Sequence, residues 1–255
     1  RDAIVNEMTW EERDLPKTTY GLLSDTASKF GNRKAVTYQL FSGPSDNCET
    51  LSWSELREKT AQTANLFREL GVGENDVVAY LLPNATETVL TYLGGQVAGI
   101  VNPINPLLEA EQIAAILRET GAKVLVTLRA FPKTDVAQKA AEAVAAAPNV
   151  KTIVEVDLHR YLTGVKKLIV PLIRPKVTAK HGANVIAFNA SVNAQPKELA
   201  FEDSKGDRVA AYFHTGGTTG MPKVAQHRYS GIIYNAWLGK TLLFTEEDVQ
   251  MCPLP

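Results

Sequence analysis

From Thr18 to Val156 the apolar positions of the chain switch repeatedly between two spacings. Trp53, Leu56, Thr60, Ala64, Phe67 and Leu70 recur at helical spacing, and Gly71 is a natural stop. Ser52-Trp53-Ser54-Glu55 ahead of them reads as a capping box, with Glu55 placed to answer the backbone at Ser52. Asp76–Leu82 is then a continuous apolar run of strand length, and Pro83-Asn84 punctuates it. Asn84 is a candidate cap for a helix reaching Ala98, with Glu87 at its third position. A short strand at Ile100–Val101 is followed by Asn102-Pro103-Ile104-Asn105-Pro106, which reads as a rigid turn. The alternation continues with a helix over Leu107–Thr120 ended by Gly121, a strand over Lys123–Leu128, an Ala-rich helix over Lys133–Ala147 and a strand over Thr152–Val156. Short buried strands joined by helices require crossover connections. The predicted fold is therefore α/β, a mostly parallel sheet flanked by helices.

Residues 1–156 form the expected α/β subdomain, and the pattern then changes. From Leu158 to Lys197 there is no Asp or Glu, while Arg160, Lys166, Lys167, Arg174, Lys176 and Lys180 accumulate. Pro171 and Pro175 interrupt any long helix, and Leu162, Val165, Leu168, Ile169 and Leu172 make a short apolar face. Residues 157–200 are read as a basic insertion or linker that lays this face on the body and keeps its lysines in water. The competing reading is a basic amphipathic segment that meets the phosphates of coenzyme A or, through 158–181, makes peripheral contact with an anionic membrane surface. Residues 201–255 form the third segment. Tyr229–Leu238 reads as a helix with Tyr234 and Trp237 in the core, Phe244–Asp248 as a turn with exposed acids, and Gln250–Leu254 as the start of a strand.

Composition narrows the function classes. The chain has 255 residues, 45% hydrophobic, with a formal net charge of −1. Near-neutral charge gives no global argument for an anionic membrane or for nucleic acid, and no nucleic-acid partner is expected. Cys48 and Cys252 show neither metal-type spacing nor a disulfide pattern, so a reduced, cytoplasmic setting is expected. No apolar run reaches the length of a membrane span.

The chemistry concentrates in Tyr212–Lys223, Tyr-Phe-His-Thr-Gly-Gly-Thr-Thr-Gly-Met-Pro-Lys. Gly216, Gly217 and Gly220 allow backbone N–H groups to close around an anion. Thr215, Thr218 and Thr219 add hydroxyl donors, Lys223 adds a cation, and Pro222 stiffens the end of the loop. This is a phosphate-binding composition. A Walker loop does not fit: Gly239-Lys240-Thr241 supplies its end, but the first glycine position is Tyr234. His214 and His227 flank the loop and are read as structural neighbours.

The same string resembles the phosphate-binding signature of the acyl-adenylate-forming enzymes, Thr-Ser-Gly-Thr-Thr-Gly-x-Pro-Lys-Gly. Thr215, Gly217, Thr218, Thr219, Gly220, Pro222 and Lys223 fall on it, whereas Gly216 replaces Ser or Thr and Val224 replaces Gly. Leu51–Leu56, Gly71-Val72-Gly73 and Gly99–Pro106 also resemble the N-terminal region of acyl-CoA synthetases. The resemblance implies the N-terminal portion of an enzyme's large domain, ending in mid-pattern at Pro255. The implied activity is AMP-forming acyl-CoA synthesis from a carboxylic acid, with a fatty acid expected, using ATP, Mg2+ and coenzyme A. Lys223, Thr218 and Thr219 take the direct catalytic roles. Thr215, Gly216, Gly217, Thr218, Thr219, Gly220 and Lys223 hold the nucleotide phosphates, and no metal ligand is assigned. The missing C-terminal half would supply the adenine site, most of the acyl pocket and a catalytic lysine. The chain alone is therefore expected to be inactive and to self-associate through its uncovered edge. Two alternatives stay open: an adenylating enzyme that delivers to a carrier protein, and a non-catalytic nucleotide-binding module.

Overall fold

A computed structural model describes residues 8–9, 12–41, 43, 46–215 and 223–252. The elements are α1 (Thr19–Phe30), the hairpin β1 (Lys34–Gln39) and β2 (Cys48–Ser52), α2 (Trp53–Glu69), β3 (Val77–Leu81), α3 (Thr86–Ala98) and β4 (Ile100–Pro103). There follow α4 (Ala110–Thr120), β5 (Val124–Leu128), α5 (Val136–Ala145), β6 (Thr152–Val156), a single 3-10 turn (Leu158–Tyr161) and α6 (Gly164–Ile169). The chain continues with β7 (Asn184–Ala187), α7 (Phe188–Asn193), β8 (Val209–Thr215), β9 (Lys223–Arg228) and α8 (Tyr229–Leu242).

Seven strands form the main sheet in the order β7-β6-β5-β3-β4-β8-β9. All neighbours run parallel except β8 and β9, which pair antiparallel. The chain steps from β3 to β4 on one side and then returns to β5 on the other. That reversal sends successive crossover helices to opposite faces. Accordingly α1, α2, α3 and α7 pack together, while α4 packs on α5. Burial on both faces explains the unbroken apolar runs of β3 and β5, where Val78, Ala79, Leu81, Leu125 and Val126 are wholly shielded.

Local signals set the helix ends. Ser52 accepts from the Glu55 amide at 3.2 Å and the Glu55 carboxylate accepts from the Ser52 amide at 2.8 Å, the expected reciprocal box. Gly121 closes α4 at φ +65°, a backbone angle that favours glycine. Other boundaries move. Helix α3 starts at Thr86 with Ala85, not Asn84, at the cap, because Glu87 turns inward. Glu87 is buried and accepts from Arg160 at 2.9 Å, Tyr161 at 2.8 Å and Asn189 at 3.1 Å. Helix α4 starts at Ala110, capped by Glu109 and Gln112, rather than at Leu107. Asn102-Pro103 belongs to β4 instead of a turn, since Pro103 sits at the strand's last position, where a missing N–H is tolerated.

Within 157–200, β7 extends the sheet beside β6 and α7 packs on α2. The polar face of α2 holds the return toward β8. Gln62 donates to the Gln195 carbonyl at 2.7 Å, and Asn65 donates to the Pro196 and Glu198 carbonyls at 3.0 and 2.8 Å. The apolar face expected to lie on the body does not do so. Leu162 is buried, but Val165, Leu168, Ile169 and Leu172 are exposed. Tyr234 is likewise on the surface, because α8 lies at the last edge of the sheet and buries only the stripe of Tyr229 and Ile233. The acids after α8 are tied back to α1 and its following turn: Lys29 meets Glu246 at 2.7 Å and Arg33 meets Glu247 at 2.9 Å. Among the described residues no helix is long and apolar enough to cross a membrane.

Candidate functional site

Strand β8 runs parallel to β4, so Thr215 leaves the sheet at the same end as Leu81, Pro103, Leu128 and Val156. Ligands of open parallel sheets bind at this carboxyl end. Strand β9 returns from there, with Lys223 directly opposite Thr215 across the antiparallel ladder. The two flanks of the Gly/Thr-rich segment are thereby brought together at the carboxyl edge of the sheet, and Lys223 is exposed. Gly216, Gly217, Thr218, Thr219 and Gly220, with Met221 and Pro222, lie outside the described residues.

Just below the loop, His214 on β8 reaches across to Asn102 on β4, with 3.1 Å between Nε2 and Oδ1. The acceptor is an amide oxygen, so Nε2 carries the proton and Nδ1 is the lone-pair nitrogen. Burial disfavours the imidazolium and holds His214 below the usual histidine range; Glu119 opposes this weakly. Asn102 is fully buried, and among the described residues neither its Nδ2 nor the His214 Nδ1 has a hydrogen-bond partner. Buried polar atoms are almost always satisfied. A donor or acceptor from the adjoining segment 216–222, which lies outside the described residues, or from a ligand would satisfy them. Phe213 packs edge-on between Tyr92 at 6.3 Å and His227 at 5.0 Å, which fixes the strand under the loop. Asn102 carries no motif signal and reads in the sequence as part of a turn, so its place here emerges only from strand pairing.

Arg208, the residue before β8, anchors the strand. Nη1 donates to the Gly99 carbonyl at 2.7 Å and the Val209 carbonyl at 2.9 Å. Nη2 donates to the Gln96 carbonyl at 2.7 Å, the Val97 carbonyl at 3.2 Å and the Tyr229 hydroxyl at 2.9 Å. Gln96, Val97 and Gly99 are the carbonyls left over at the end of α3. One guanidinium thus ties α3, β8 and α8 together. Burial pushes the Tyr229 phenol up to about 12, with Arg208 opposing, so it stays protonated and donates to the Gln96 carbonyl at 2.6 Å.

A second polar cluster lies further along the carboxyl end. A cavity of about 90 Å³ is lined by Glu49, Lys59, Thr86, Glu87, Arg160 and Asn189, among others. Burial pulls the Arg160 guanidinium down, but Glu49 and Glu87 outweigh it and keep the group charged. Glu49, Glu87 and Tyr161 all engage Arg160 directly, so this cluster reads as a structural tie between β2, α3 and the 3-10 turn. Among the described residues no group of three or more His, Cys, Asp or Glu side chains could hold a metal ion. None of them is assigned to magnesium.

Comparison with known proteins agrees with the signature and the sheet. The profile of the family described as AMP-binding enzyme matches residues 23–255. The chain belongs to that family, within the acyl-adenylate-forming superfamily. It is 31% identical over 252 residues to the marinolic acid–CoA ligase of Pseudoalteromonas sp. (strain SANK 73390), covering 96% of this chain and 35% of the relative. It is 28% identical over 247 residues to the long-chain-fatty-acid–CoA ligase of Bacillus subtilis (strain 168), covering 89% of this chain and 40% of that protein. The crystal structure of a long-chain-fatty-acid–CoA ligase from Archaeoglobus fulgidus shares the fold at a TM-score of 0.70 and 21% identity, over 92% of this chain and 42% of the other. The chain therefore spans 35% and 40% of the length of these two curated relatives.

Proposed function

We propose that this chain is the part of an AMP-forming acyl-CoA ligase that holds the polyphosphate of ATP. The observation that carries the reading is the Thr215–Lys223 signature, flanked by paired strands at the carboxyl end of a parallel sheet. In the proposed reaction a carboxylate oxygen of the acid attacks the α-phosphorus of ATP. The bond from that phosphorus to the bridging oxygen breaks, and pyrophosphate leaves. The thiol of coenzyme A, as thiolate, then attacks the acyl carbon and AMP departs.

An ionised carboxylate needs no base, so the first step is mainly positioning and charge neutralisation. Thr218, Thr219 and Lys223 are assigned to the β- and γ-phosphate oxygens, and Gly216, Gly217 and Gly220 supply backbone donors beside Thr215. Magnesium, when bound, would neutralise part of the polyphosphate charge. His214 and Asn102, bonded across β8 and β4 beside Thr215, are assigned to holding that flank of the site. The name of the Bacillus relative supports a fatty acid as substrate class. Because the chain spans 35–40% of its curated relatives, the complete reaction is assigned to the full-length protein. The 255-residue stretch alone is expected to be inactive. Exposed Leu243, Val249 and Met251 support further contacts at that edge, with the rest of the protein or with a second copy.

The test is a quenched time course of full-length protein with a fatty acid, ATP and coenzyme A, resolved by mass spectrometry. Transient acyl-AMP followed by acyl-CoA and AMP is expected. Formation of ADP, or ATP binding with no turnover of any acid, would overturn the assignment. Transfer to a phosphopantetheine protein but not to coenzyme A would move the acceptor to a carrier.

A further inference from the structure

Between β6 and β7 the usual arrangement of a surface segment is inverted. Apart from its lysines, several of its polar groups are engaged within the segment or with the body. The His159 ring bonds the Lys167 carbonyl at 2.7 Å, and Arg174 donates to the Ala130 carbonyl at 2.7 Å and to both Asp157 oxygens at 3.1 Å. The Thr178 amide donates to Gln138 at 2.8 Å. Its apolar groups face outward. Val165, Leu168, Ile169, Leu172 and Ile173 are exposed, from 45% at Ile169 to 84% at Leu172. Phe41 adjoins them, with the Lys166 ammonium 3.9 Å from its ring centre.

A contiguous exposed ridge of large aliphatic side chains is uncommon on a protein surface without a partner. The charge around this one selects the partner. No acidic residue occurs from Leu158 to Lys197. Arg160 and Arg174 are consumed by internal carboxylates, but Lys166, Lys167, Lys176 and Lys180 form no ion pair among the described residues. The body does not cover the ridge. It hangs on the β6–β7 edge, while β9 and α8 occupy the opposite edge, six strand spacings or roughly 29 Å away.

We propose that residues 164–180 are a peripheral docking surface for an anionic lipid bilayer, with the aliphatic ridge entering the headgroup region and the four lysines meeting lipid phosphates. A short, lysine-flanked apolar segment of this kind binds reversibly, because apolar burial and surface charge each contribute a modest share. The inference goes beyond the enzymatic reading and does not depend on it.

The test is cosedimentation of the full-length protein with vesicles of phosphatidylcholine alone, or of phosphatidylcholine mixed with phosphatidylglycerol. Binding to the anionic vesicles is expected, at least about tenfold weaker on neutral ones and weakened by salt. Leu168→Asp with Leu172→Asp, and separately Lys166→Glu with Lys167→Glu, should each lower partition at least about tenfold. The melting temperature should not change, since these side chains are exposed. Equal binding to both vesicle types, no binding to either, or variants that bind like the parent would overturn the proposal. So would a dimer that binds no lipid and that the leucine variant dissociates, which would assign the ridge to a second copy. None of these outcomes bears on adenylation.

Discussion

Replacing Arg208 by methionine removes the guanidinium that joins α3, β8 and α8 while keeping most of the side-chain volume. Six acceptors lose a donor, the Glu74, Gln96, Val97, Gly99 and Val209 carbonyls and the Tyr229 hydroxyl, and of these Gln96 keeps the Tyr229 hydroxyl. A hydrogen bond from a charged donor contributes about 1.5–3 kcal/mol. A cation at a helix C-terminus adds up to about 2 kcal/mol in partly buried settings. These contributions share one group and do not sum. Arg208 is half-buried, so water can reach some of the orphaned carbonyls. The expected loss is about 3 kcal/mol, near the upper end for a single substitution. For a domain of this size that corresponds to roughly 6–12 °C in melting temperature. Arg208→Lys should recover less than half, because one ammonium cannot span acceptors on three elements. Thermal unfolding followed by circular dichroism, with urea denaturation as a check, measures both variants. A shift below about 2 °C for the methionine variant, or full recovery by lysine, would refute the idea that this one fork holds β8 in place.

Three further outcomes are expected. Lys223→Ala should slow adenylation by roughly 10²-fold in single-turnover assays, the loss expected for a preorganised charge donor; Thr218→Ala should cost only about 0.5–1.5 kcal/mol, and an unchanged lysine variant would remove that residue from the site. In Gly94→Ala the new methyl would sit 2.8 Å from Thr63 Cβ and Cγ2 and 3.1 Å from the Ala64 amide. Urea denaturation should show a loss of about 1–3 kcal/mol, whereas a gain in stability, as helix propensity alone would give, would contradict the close α2–α3 contact. His214 is held below the ordinary value of 6.5, so the unfolded chain binds its proton first. Stability should therefore fall as pH drops from about that ordinary value toward the folded pKa, and the drop should be smaller in His214→Asn; identical pH profiles for the two proteins would dismiss the burial argument.

The parts of the fold that were legible in the sequence are those with short-range causes. The Ser52–Glu55 box, the Gly121 stop and the apolar runs of β3, β5 and β6 each follow from local backbone or burial rules. What escaped depends on partners distant in sequence. Glu87 looked like a cap residue three positions from Asn84, yet its partners Arg160, Tyr161 and Asn189 lie more than seventy residues onward, up to 102 positions away. The β1–β2 hairpin and β7 are short and only partly apolar, so neither stood out from loop. Asn102 and Arg208 belong to no motif; strand order alone brings them beside the signature. The aliphatic face of 162–172 was visible as a pattern, but its direction was not, because periodicity does not say which side of a segment meets the body. For the proposed site, composition and the family resemblance pointed to Thr215–Lys223, and strand pairing puts Thr215 opposite Lys223 at the carboxyl edge.

Carboxylate-dependent exchange of labelled pyrophosphate into ATP, measured with the full-length protein across fatty, short-chain and aromatic acids, tests the central claim most directly. Exchange that requires an acid, is strongest with a fatty acid and collapses in Lys223→Ala is expected. Folded protein that binds ATP but exchanges with none of the three acid classes would contradict it and leave a nucleotide-binding module in its place.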